Sequence, residues 1–61
     1  MPEIVLYTIN DDLIELHIDG KYVMSANHDS DGRAGMEKFT DVVKIMALFT
    51  GNQVEEIEVG G

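Results

Sequence analysis

Between Met36 and Thr50, apolar residues recur at helical spacing. At 100° per residue Met36, Phe39, Val42, Val43, Met46, Ala47 and Phe49 share one broad face, with Glu37, Asp41 and Lys44 opposite. The pattern predicts a helix over 36–50 laid on a sheet. Ile45 and Leu48 fall on or beside the polar side, so the second half of the helix is apolar over most of its circumference. Such a helix asks for cover on both sides, and these two residues are expected to be exposed in one copy and buried in an assembly.

The rest of the chain alternates with a period of two. Strands are predicted over 3–9, 13–18, 21–26 and 54–59, rich in β-branched and aromatic residues. Asn10-Asp11, or Asn10-Asp11-Asp12, is turn chemistry, and Asp19-Gly20 reads as a two-residue type I′ hairpin turn. Gly51-Asn52 is a left-handed stop for the helix, and Asp31 or Ser30 can cap its start. The order is β-β-β-α-β, an α+β fold with a four-stranded mixed sheet and one helix on one face. The last strand is expected to run parallel to the first and third, beside one of them.

Two-residue turns would fix the register. Asp19-Gly20 would set Leu16 opposite Val23, and Asn10-Asp11 would set Tyr7 opposite Ile14 and Val5 opposite Leu16. The face under the helix would then carry Val5, Tyr7, Ile9, Ile14, Leu16, Ile18 and Val23. The far face would carry Ile4, Leu6, Leu13, Tyr22, Met24 and Ala26, interrupted by Glu15 and His17. That far face is more apolar than a solvated one should be. Leu6, Leu13, Tyr22, Met24, Ile45 and Leu48 are the resulting candidates for an oligomer interface, expected in a homodimer.

Size sharpens the expectation. Sixty-one residues make one small domain with little core, and without cysteines it has no disulfide to staple it. Charge narrows the partners. Twelve carboxylates against four basic residues give a net charge of −8. Direct binding of nucleic acid or of an anionic membrane surface is disfavoured, since both need a basic face. A basic protein partner is favoured. No apolar run is long enough to span a bilayer and no signal peptide is read, so a cytoplasmic location is expected.

Few residues suggest chemistry. Asn27-His28-Asp29-Ser30-Asp31-Gly32 matches the opening of an EF-hand calcium loop, with Asn27, Asp29 and Asp31 as weak candidate ligands. The acid expected eleven residues after Asn27 is replaced by Lys38. His17 is expected on the far face beside Tyr22. His28, in a loop, is the better placed of the two histidines for function. No nucleophile motif is present, and neither an enzyme nor a cofactor is expected.

The closing Val59-Gly60-Gly61 resembles the end of ubiquitin-like modifiers and sulfur carriers of the β-grasp family. That resemblance implies a terminal di-glycine activated by adenylation, although three strands precede the helix here. In size, charge and lack of catalytic residues the chain also resembles the small acidic accessory proteins of bacteriophages. The leading expectation is a phage-type inhibitor, acting as a homo-oligomer. It would block a host defence or nucleic-acid-handling protein through Asp11, Asp12, Glu15, Asp19, Asp29, Asp31, Glu55, Glu56 and Glu58. Calcium binding and the di-glycine carrier are the alternatives.

Overall fold

The computed structural model describes residues 3–60. Strands β1 (Ile4–Ile9), β2 (Leu13–Ile18) and β3 (Lys21–Asn27) form an antiparallel meander, followed by helix α1 (His28–Phe49) and strand β4 (Val54–Val59). The sheet order is β3-β2-β1-β4, with β4 parallel to β1. The α+β architecture and its β-β-β-α-β order are as expected, and β4 takes the place beside the first strand. The helix therefore carries the chain from one sheet edge to the other. Among the described residues no helix is long and apolar enough to cross a membrane.

The β2–β3 turn forms as its residues require. Asp19 and Gly20 both have positive φ, at 53° and 80°. The turn is tied to the start of β1, where the Asp19 N–H donates to the Glu3 carbonyl at 2.8 Å and the Glu3 N–H donates to Asp19 Oδ1 at 2.9 Å.

The β1–β2 turn corrects the expected register. The loop has three residues, Asn10-Asp11-Asp12, so Ile9 pairs with Leu13, Leu6 with Leu16 and Thr8 with Ile14. One extra residue reverses which face every β1 side chain joins. Ile4 and Leu6 now lie under the helix with Ile14, Leu16 and Ile18, whereas Val5, Tyr7 and Ile9 lie on the far face. Leu6 is 1% exposed and central to the core, not part of an oligomer interface.

A second correction comes from a bulge. The β2–β3 register shifts between Leu16 and His17, leaving Leu16 opposite Met24, Ile14 opposite Ala26 and Val23 without a partner. Ala26 joins the core, and Met24 lies on the helix side at the open edge of β3. The far face is covered in part by its own side chains. His17 stacks edge-on with Tyr7 at 4.8 Å and with Tyr22 at 5.8 Å, as its expected neighbour, and Val5 beneath this row is only 6% exposed.

The helix is longer than its apolar period. Asn27 caps a first turn at His28, Gly32 interrupts it with φ 71° and ψ 173°, and a regular helix continues to Phe49. Only Gly reaches that backbone region at low cost. The C-terminus closes as expected with Gly51 at φ 75°. The Asn52 N–H donates to the Ala47 carbonyl at 2.8 Å and the Gly51 N–H to that of Leu48 at 3.1 Å, a Schellman arrangement. The buried stripe is narrower than predicted. Met36 and Ala47 are buried and Phe39 and Val43 pack on the core, but Val42, Met46 and Phe49 are exposed. A single helix running diagonally over four strands leaves the flank of its last turns uncovered. Ile45 and Leu48 are exposed in the single copy, as expected.

Candidate interaction surface

The carboxylates are unevenly placed, and the topology explains the pattern. The turn after β1, the start of α1 and the end of β4 meet at one end of the molecule, because Ile9 pairs with both Leu13 and Val59 while the His28 N–H donates to the Asp12 carbonyl at 2.8 Å. Asp11, Asp12, Asp29, Asp31 and Glu58 are thereby gathered at that end. Glu37 and Asp41 join them on the helix stripe 33-37-41. With Thr8, Asp11, His28 and Arg33, they line an open cleft of about 400 Å³. Its floor includes the core residues Ile14 and Met36. The remaining candidates lie elsewhere. Asp19 and Glu55 belong to the opposite end, Glu15 lies mid-sheet on the far face, and Glu56 faces the helix.

Several of these carboxylates already have local partners. Glu15 Oε1 lies 3.1 Å from His17 Nε2, and Glu56 Oε2 lies 3.2 Å from Lys44 Nζ. Asp19 holds the Glu3 N–H. Asp31 Oδ2 accepts from the Asn27 N–H at 3.0 Å while Asn27 Oδ1 accepts from the Ser30 N–H at 2.7 Å. This reciprocal pair satisfies donors that a helix start would leave open. It also takes up two of the three side chains proposed for calcium, in a segment that is a helical turn and not a loop. Among the described residues, Asp11, Asp12, Glu37, Asp41 and Glu58 make no ion pair or side-chain hydrogen bond. Together with Asp29, which has no such partner either, they are the charges available to a partner at this end. Glu37 and Asp41 were legible as the polar side of the helix, but only the packing shows that this side meets the β1–β2 turn.

The di-glycine end falls partly outside the described residues, which stop at Gly60. Gly60 itself has φ 85°, and a side chain there would run into Asn10, whose N–H donates to the Val59 carbonyl at 3.0 Å. The left-handed φ already favours glycine here, and a larger residue would also have to displace the Asn10 side chain.

A second depression is apolar. Ile4, Leu16 and Ile18 form its floor and Val43, Met46 and Ala47 its wall, with Thr50 and Asn52 at one end, enclosing about 300 Å³. It lies on the side of the helix away from the Lys44–Glu56 pair. Compared with protein-family models, curated proteins and solved structures, the chain matches none.

Proposed function

We propose that this protein is a non-catalytic binding module that docks its acidic end on a basic protein surface and blocks it. The observation that carries the reading is the convergence of Asp11, Glu37 and Asp41 on one cleft, with Asp12 and Glu58 beside it and no ion pair holding these five among the described residues. Exposed, uncompensated charge of one sign steers association and discriminates between partners more than it stabilises a fold. A basic site of this kind commonly serves nucleic acid, and a protein occupying it acts as a competitor. The inhibitor reading follows from that competition. The cleft is wide and shallow and carries Arg33 among its acids, which suits a protruding basic side chain better than a small substrate.

Capture from a bacterial lysate at low and high salt tests it. The wild-type chain is expected to retain a basic protein at low salt and release it at high salt, because exposed charge pairs are screened. The variant Asp11→Lys/Glu37→Lys/Asp41→Lys is expected to fold and retain nothing. Equal retention by the variant, or retention indifferent to salt, would refute the acidic docking surface.

A further inference from the structure

The apolar groove beside Met46 opens toward the free edge of β3. We propose that a second copy of this chain closes it, pairing antiparallel through β3 so that the two sheets become one. The two sheet edges differ in a way that selects β3. Strand β4 carries Glu55, Glu56 and Glu58, a charged edge of the sort that resists pairing. Strand β3 reads Lys-Tyr-Val-Met-Ser-Ala-Asn, with no carboxylate and no proline, and is guarded only by Lys21 and the bulge at Val23. Met24, 49% exposed, marks its helix side, and Met46, 64% exposed, stands across the groove.

The backbone sets the register. Because the His28 N–H is bonded to Asp12, alternation turns the backbone groups of Ala26 and Met24 toward β2 and those of Ser25 outward. The outward N–H of Asn27 is already held by Asp31. The open stretch therefore ends before Asn27 and is interrupted by the bulge at Val23, and a two-fold axis at Met24 brings Ser25 of each copy beside that bulge. Ser25 then faces the partner's Val23, and Met24 meets the partner's Met24 at the mouth of the groove.

Charge names the occupant. In this register Lys21, the one charged residue of β3, reaches the end of the partner's strand, where Asp29 and Asp31 follow. Symmetry makes this contact twice. Elsewhere two copies of net charge −8 repel each other, whereas a foreign basic partner would find no carboxylate along the groove. The interface does not use the Asp11–Glu37–Asp41 cleft, so its failure and that of the acidic docking surface are separable.

Sedimentation equilibrium of the full chain tests the proposal. The wild type is expected at twice 6.8 kDa, and both Met24→Arg and Ser25→Pro are expected at the monomer mass with an unchanged circular dichroism spectrum. Lys21→Glu should weaken association, and adding Asp29→Lys should restore it. Leu48→Arg, on the other side of the helix, should remain dimeric. A monomeric wild type would overturn the proposal and leave the groove to a foreign chain. So would a dimer that survives Met24→Arg but is lost in Leu48→Arg.

Discussion

Gly32 carries more of the helix geometry than any apolar residue near it. Its φ of 71° with ψ of 173° ends the capped turn at Asp31 and aims the following helix across the sheet. A Cβ there would meet nothing within 4 Å, so the cost of replacing Gly32 is purely conformational. Gly32→Ala is expected to lower stability by about 1–3 kcal/mol, read as a fall in the urea midpoint at unchanged slope. An unchanged midpoint would show that the helix start can relax without loss. Asn27 works at the same junction in the opposite sense, fixing the first turn through its side chain while its own N–H is held by Asp31. The Asn-Asp-Ser-Asp-Gly composition that resembles a calcium loop is thus explained residue by residue as a cap and a break.

Among the elements, β1 decides which side chains are core. Leu6 is the most deeply buried side chain, and Leu6→Ala is expected to cost about 2–5 kcal/mol. On a per-residue scale the whole domain has only about 3–9 kcal/mol to lose, so the variant should lose a large share of its stability, read as a much lower melting temperature by circular dichroism. Leu13→Ala, on the half-covered far face, should remain folded. If both behaved alike, the observed register would be wrong. Every strand and the helix from Met36 onward could be read from periodicity, and so could the Asp19-Gly20 turn. The helix start at His28 and its cap at Asn27, in place of the expected Asp31 or Ser30, could not, because that turn carries no apolar period. The β1–β2 register could not, because Asn10-Asp11 and Asn10-Asp11-Asp12 are equally good turn sequences and differ by one residue in a period of two. The bulge at Val23 left no sequence mark either; it lies on an edge strand, where an extra residue is tolerated because one side needs no partner. The polar stripe of α1 was visible as Glu37 and Asp41, yet its meeting with Asp11 depends on where the helix crosses the sheet. Val42, Met46 and Phe49 had the period of core residues, and are exposed because no second layer covers that flank of the helix, where Met46 walls an open groove over Ile4, Leu16 and Ile18.

For the molecule as a whole, the two surfaces should answer salt in opposite directions. With a net charge of −8 on 61 residues, self-repulsion opposes both compaction and the approach of a second copy, and added salt screens it. The melting temperature is expected to rise with sodium chloride at fixed protein concentration, while capture of a basic partner falls. A melting temperature that falls with salt would indicate that the Lys44–Glu56 pair and the Lys21 contacts outweigh the repulsion.

The position of β4 also bears on how the chain acquires its fold. Residues 54–59 pair with residues 4–9, so the sheet is completed by joining segments almost the full sequence apart. The meander of β1, β2 and β3 contains only short-range pairings and can form while the remainder is still being synthesised. Until β4 docks, however, β1 is itself an unguarded edge, lined with Ile4 and Leu6 in place of three glutamates. Loop closure on that scale is the slow step in small sheet proteins. Nascent chains of this protein are therefore most prone to aggregate in the interval after the meander forms and before the glutamate-bearing strand emerges.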